Sequence, residues 1–257
     1  MRNLIIFLLI FVLTGCSYFG GEKEDNTIDW DADRHYAEAR GALDSGDYSK
    51  AVELYQKLET KYPFGVHAQQ SLLDLAYAYY KDEDPDAAIG ASNRFIKLYP
   101  QNEHVDYAYY LKGLANFNRG KGFTQRYLPT DESQRDPGAA FTAFQDFSEL
   151  VKRFPDSEYV EDSAQRMRYL RNILAKNEVN VANYYMRRGA FIAAANRARY
   201  VIENYPKTPA VPDALVLMAK AYRVLEMDDL SNDALRVLEL NYPNHPGLYE
   251  VKEIEVE

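Results

Sequence analysis

An all-α solenoid of five helix–turn–helix repeats is the fold this sequence predicts, and three observations predict it. An aromatic residue followed by proline recurs five times, at Pro63, Pro100, Pro155, Pro206 and Pro243. The spacings are 37, 55, 51 and 37, so two insertions of 18 and 14 residues interrupt one beat of 37. Small residues keep register with those prolines. Twelve residues earlier stand Ala51, Ala88, Ala143, Ala194 and, as the exception, Ser231; twenty-four earlier stand Ala39, Ala76, Ala182 and Ala219. The third repeat has Gly113 there once its insertion is allowed for. A period of 20–50 residues is the signature of a repeat array.

Each element follows from that register. Proline cannot continue a helix and drives the residue before it away from helical geometry, so each aromatic–proline pair closes a second helix. One small residue per helix lets the two members of a pair cross closely. Tyr79, Tyr185 and Tyr222, three residues past the first small position, supply rings to fill the space between pairs. "LDSGDYSKA" and "YKDEDPDAA" carry the turns inside repeats one and two. The pattern resembles the tetratricopeptide repeat, with its Ala-x3-aromatic element complete in "AVELY" and "AFQDF". It departs in its beat, 37 against 34, and in lacking the repeat's tryptophan, since Trp30 precedes all five. A single pair buries too little apolar surface to stand alone, so the pairs must stack, with a concave and a convex side. The boundaries read as 33–66, 67–103, 104–158, 159–209 and 210–247, then an acidic tail over 248–257.

The first insertion lies within "NFNRGKGFTQRYLPTDESQRDPGAAF" and predicts a long loop over 118–136 between the helices of repeat three. "GKGFT" lacks the spacing of a phosphate-binding loop and follows no strand. The second insertion falls in a proline-free stretch, so it reads as about four extra turns on the first helix of repeat four, with Asn177 where a bend would fall.

Ahead of the repeats, Leu4 to Leu13 form an unbroken apolar run behind Arg2. Ten residues are too few to cross a bilayer, which takes about 20. A basic start and a short apolar core ending in small residues read as a secretory signal over 1–15. "LTGC" resembles the lipobox of bacterial lipoproteins, in which the cysteine becomes the acylated N-terminus. Cys16, the sole cysteine, is therefore the expected lipidation site, the alternatives being a plain secretory signal or a buried thiol. Ser17 stands where an aspartate would favour the inner membrane, which points to the periplasmic face of the outer membrane. Residues 16–32, rich in acids, read as a tether.

Loss of the signal takes the net charge from −9 to −10, which removes any general attraction for nucleic acid. Against that background residues 160–200 hold eight basic side chains and three acidic ones. Arginine suits bidentate carboxylate contacts, so this cluster reads either as a docking site for an acidic protein surface or as a solvated helical face. No metal-binding spacing or nucleophile elbow occurs; His67 and His104 lie one period apart and so occupy equivalent places, not one site. Neither an enzyme nor a cofactor is expected beyond the covalent lipid on Cys16.

Lipobox, helix pairs, both insertions, "KYPFG", "LDLAYAYYK", "DYAYYLKGLANF", "RDPGAAFTAFQDFSELVKRFP" and "NRARYVIENYP" together resemble the BamD family, lipoproteins of the outer-membrane β-barrel assembly (Bam) complex. The resemblance implies a scaffold whose C-terminal repeats dock a BamA-like barrel subunit, through Arg197, then Arg188 and Arg199. It further implies small Bam lipoproteins as partners, and N-terminal repeats that receive unfolded outer-membrane protein precursors. The matching residues there are Tyr62, Pro63, Phe64 and Gly65, with Tyr79 and Tyr80. Tyr62 and Pro63 also end a repeat and have an architectural reading. The rival readings are another periplasmic repeat lipoprotein coordinating cell-wall synthesis, and a helical-solenoid cell-wall hydrolase.

Overall fold

The computed structural model describes residues 27–119, 133 and 137–252, so Cys16, the signal and most of the long loop lie outside the described residues. Within them are eleven helices and no strand. Five antiparallel pairs run α1 (Ala32–Asp44) with α2 (Tyr48–Lys61), α3 (Ala68–Lys81) with α4 (Pro85–Leu98), and α5 (Val105–Asn118) with α6 (Gly138–Arg153). They continue with α7 (Val160–Arg187) and α8 (Phe191–Asn204), then α9 (Val211–Val224) and α10 (Asp228–Asn241). A short α11 (Gly247–Lys252) follows.

The aromatic before each proline does what the proline demands. Tyr62, Tyr99, Phe154, Tyr205 and Tyr242 have ψ between 46° and 66°, outside the helical range, while each N–H still bonds the carbonyl four residues back. The turn inside every repeat but the third, whose connection carries the insertion, has its own fixed point, seventeen residues before the proline. Gly46, Glu83, Gly189 and Glu226 all sit there with φ between 57° and 82°. Two of the four are not glycine, so nothing in the sequence marked them.

The register of small residues is the register of helix crossing. All eight alanines named above are fully buried, as is Ser231, whose hydroxyl donates to the Ala219 carbonyl at 3.0 Å. A methyl on Gly113 would come within 2.6 Å of the Phe147 ring, so this glycine is required for close approach.

First helices of neighbouring repeats touch each other as well as their own partners (α1 with α3, α3 with α5, α7 with α9), which makes their side the inner, concave one. Between repeats three and four the seam is bridged by longer side chains. Tyr110 donates to Asp162 at 2.7 Å, and Phe117 meets Tyr169 with ring centres 5.8 Å apart.

Both insertions fall where expected. α5 and α6 are separated by the long connection, and α7 has 28 residues against 14 in α3, α5 and α9, continuous through Asn177. The insertions also meet: Asn177 and Asn180 of α7 donate to Ser133, the buried residue described within the loop. One boundary needs correction. The expected tail over 248–257 begins as structure, because α11 opens one period after α9 and buries Leu248 and Val251 against α9 and α10. It is the first turn and a half of a sixth first helix, covering the apolar end of the stack.

Candidate partner-binding surfaces

The residues singled out in the N-terminal repeats divide by role. Tyr62 caps α2, donates its hydroxyl to the Trp30 carbonyl at 3.0 Å and packs edge-on against His35. Tyr79 accepts a hydrogen bond from Gln56 of α2, and Tyr80 accepts one from Asn118 of α5 at 3.0 Å. These three tyrosines hold neighbouring helices together. Phe64 differs: it is 97% exposed on the turn between α2 and α3, with Val66 beside it at 94%. Gly65 has room for a side chain, since an added methyl would meet only Tyr62 at 3.5 Å. The structure does not gather these positions into one site, because Tyr79 lies about 16 Å along α3 from the turn that carries Phe64.

Sequence reasoning passed over what does gather there. On the concave side of repeats one to three, Arg40, Asp44, Tyr48, Asp74, Tyr77 and Tyr107 line an open depression of about 490 Å³. Its base is Asp74, almost fully buried, which accepts from the Tyr36 and Tyr55 hydroxyls at 3.1 Å each and from Gln70 at 2.8 Å. Arg40 lies 3.5 Å from Asp74 and 3.1 Å from Asp44, and so joins the buried carboxylate to an exposed one. Burial first, then the Asp74 charge, pushes the Tyr55 hydroxyl far above its ordinary value, and burial does the same for Tyr107. A signal existed: Tyr36, Asp74, Tyr77 and Tyr107 all fall on first helices, the helices that line a concave face.

In the fourth repeat the structure separates the arginines that composition had grouped. Arg197 and Arg199 leave α8 on different sides. Arg197 pairs with Glu178 of α7 at 3.1 Å, and Arg199 donates to the Tyr222 hydroxyl of α9 at 2.6 Å. Arg188 caps α7 at the exposed α7–α8 turn, 5.9 Å from the Tyr184 ring, with Arg187 exposed beside it. Two more of the eight are engaged within the chain. Arg166 is bonded to Asp162, and Arg171 donates to the Pro206 carbonyl at 2.9 Å. Burial opposes ionisation of Asp162, yet the Arg166 and Tyr110 hydrogen bonds hold its carboxyl below the ordinary value. What remains for a partner is exposed Arg168 on α7, Arg187 and Arg188 at the turn and the half-exposed Arg197, whose guanidinium has more donors than Glu178 uses.

Among the described residues no cluster of histidine, cysteine and acidic side chains could hold a metal, and no helix is long and apolar enough to cross a membrane.

The profile of the YfiO family, described as outer membrane lipoproteins, matches residues 29–238. Outer membrane protein assembly factor BamD of Neisseria meningitidis serogroup B is 45% identical over 249 residues, 96% of this chain and 93% of that protein. This chain belongs to the YfiO/BamD family. BamD of Xylella fastidiosa (strain Temecula1) is 37% identical across 95% of this chain and 83% of its own length. BamD of Vibrio cholerae serotype O1 is 36% identical across 91% and 95% respectively. Members of this family are matched through all five repeats, so both surfaces described above lie on the shared body of the family.

Proposed function

We propose that this chain is a non-catalytic assembly factor for outer-membrane proteins, anchored by lipid on Cys16 to the periplasmic face of the outer membrane. The observation that carries the reading is the 45% identity to the meningococcal assembly factor over nearly the whole of both chains. The geometry suits a scaffold. Ten helices packed in sequence hold two distant surfaces in fixed relation, and tethering two ligands to one body raises the effective concentration of each for the other.

In this proposal the fourth repeat docks a BamA-like barrel subunit. Arg188 at the α7–α8 turn makes the first contact, and Arg197 shares its guanidinium between Glu178 and a partner carboxylate. Arg199, occupied with Tyr222, positions α8 against α9 instead. Small Bam lipoproteins join the same assembly. The first three repeats receive unfolded precursors: the tyrosine-lined depression around Arg40 and Asp74 takes an extended segment, and Phe64 and Gly65 offer backbone and ring at the edge. Tyr62, Pro63, Tyr79 and Tyr80 shape that surface from within.

Affinity purification of the full chain from native membranes in mild detergent tests the reading. A barrel protein with periplasmic repeats should dominate what co-purifies. Recovery of cell-wall synthetic proteins in its place would favour a different repeat lipoprotein, and release of fragments from purified sacculi would establish a hydrolase.

A further inference from the structure

The same turn joins every repeat to the next, and two exposed positions in it, one and three residues past the proline, can be compared across the molecule. They are Gln101 and Glu103 after repeat two, Asp156 and Glu158 after repeat three, Lys207 and Pro209 after repeat four, and Asn244 and Pro246 after repeat five. None is a large apolar residue. After repeat one they are Phe64 and Val66, both more than nine-tenths exposed. An apolar pair so placed in water is unfavourable unless something covers it.

What lies beside it is the start of the folded chain. The Lys61 ammonium donates to the carbonyls of Ile28 and Trp30, to the latter at 2.7 Å, and the Tyr62 hydroxyl also donates to Trp30. The chain leading in from Cys16 is therefore fastened to the two residues that precede the Pro63–Val66 turn. Ten residues separate Cys16 from Thr27, eleven steps that at full extension reach at most about 40 Å. Ile28, where that chain enters, is itself an exposed apolar side chain.

We infer that the Phe64–Val66 turn rests in the interfacial layer of a phospholipid bilayer when no precursor is bound, as a second contact beside the lipidated N-terminus. The inference builds on the lipoprotein reading above and goes beyond it, because a lipid anchor alone leaves the orientation of the solenoid open. Aromatic and aliphatic side chains gain by leaving water at the headgroup boundary, and one more contact fixes which edge faces the membrane. Glu103, Asp156 and Glu158 keep the turns after repeats two and three in water, and the turns after repeats four and five offer no large apolar side chain to the bilayer. The first repeat is thus held at the bilayer and the fourth away from it.

The test uses the mature chain reconstituted in vesicles of phosphatidylethanolamine and phosphatidylglycerol containing a brominated phospholipid. Trp30 is the only tryptophan, so Trp30→Phe with Phe64→Trp leaves one reporter at the turn. Its emission should shift to the blue and be quenched by bromine. A Trp30→Phe, Leu240→Trp chain, reporting from an exposed apolar position on the last pair, should show neither effect. If the position 64 reporter stays water-like and unquenched on chains that sediment with vesicles, the inference is overturned. Quenching that comes only from a brominated precursor-terminal peptide would overturn it too, in favour of a polypeptide occupant. Should mass spectrometry find Cys16 unmodified, the lipoprotein reading fails by itself. The same reporters then decide the orientation with a chain from Ser17 held by an N-terminal hexahistidine on nickel-chelating lipids.

Discussion

Repeats one to three and repeats four to five share one plan and are cemented differently. In the first group tyrosines and carboxylates join the helices: Tyr36 and Tyr55 on Asp74 between repeats one and two, Tyr110 on Asp162 at the seam to repeat four, and, inside repeat three, Asn116 with Lys112 on Asp146. In the second group the junctions are filled mainly by Ala182, Ala198, Val201, Ala214, Leu217 and their neighbours, with Tyr222 the one buried tyrosine among the described residues of these repeats, bonded to Arg199 and to no carboxylate. The difference teaches that one repeat register tolerates two kinds of adhesive. Hydrogen-bonded carboxylates impose a specific geometry and are costly to break, whereas small apolar residues depend on volume alone.

The largest expected effect breaks the polar cement. Asp74→Ala strands the buried Tyr55 hydroxyl and should lower stability by about 3 kcal/mol. Hydrogen exchange should speed up in α1–α3 and leave α9 and α10 unchanged. Overpacking the other half is the mirror experiment: Ala219→Leu, at the α9–α10 crossing, should cost about 1–3 kcal/mol in urea unfolding, with faster exchange confined to the last two repeats.

Alkali sharpens the same contrast. Burial and the Asp162 contact push Tyr110 up to about 12, burial and Glu158 push Tyr159 to about 12, and Tyr55 and Tyr107 lie higher still. A hydroxyl that holds its proton more tightly when folded adds stability that is complete below pH 10 and lost as pH rises from 10 through 12. Among the aliphatic junctions only Tyr205, also near 12, is raised comparably among the described residues. Above pH 10 the first three repeats should therefore unfold ahead of the last two, which tyrosine absorbance together with site-resolved exchange would report. Asp162 has the opposite sign. Its lowered value adds stability above pH 4 that is lost on acidification below it, and Arg166→Gln should remove part of that acid dependence. The smallest effect is a gain: Glu83→Gly relieves a left-handed residue and should stabilise by roughly 0.5 kcal/mol after glycine's own entropy cost.

The architecture was legible because its determinants are periodic. Proline, the crossing alanines and Gly113 each recur or are displaced by a countable insertion, and one chain suffices to show that. What was hidden is not periodic. Glu83 and Glu226 adopt a glycine conformation without glycine, since their place in the turn overrides preference. α11 was concealed by its acidic composition, although Leu248 stands one period after Val211. The arginine cluster looked like one patch because composition ignores azimuth: two residues apart on a helix, Arg197 and Arg199 point to different neighbours. The Asp74 network escaped notice because its four partners are spread from Tyr36 to Gln70.

The proposed function gives the two halves separate tasks, and one measurement tests that division most directly. The Arg188→Glu, Arg197→Glu chain is assayed side by side for binding a BamA-like periplasmic domain and for cross-linking from position 64 to a precursor's terminal segment. Barrel-subunit binding should fall at least tenfold, the loss of about 1.4 kcal/mol, while cross-linking and helicity stay unchanged. Binding that persists at wild-type strength, or two activities that fall together in a folded chain, would contradict the account.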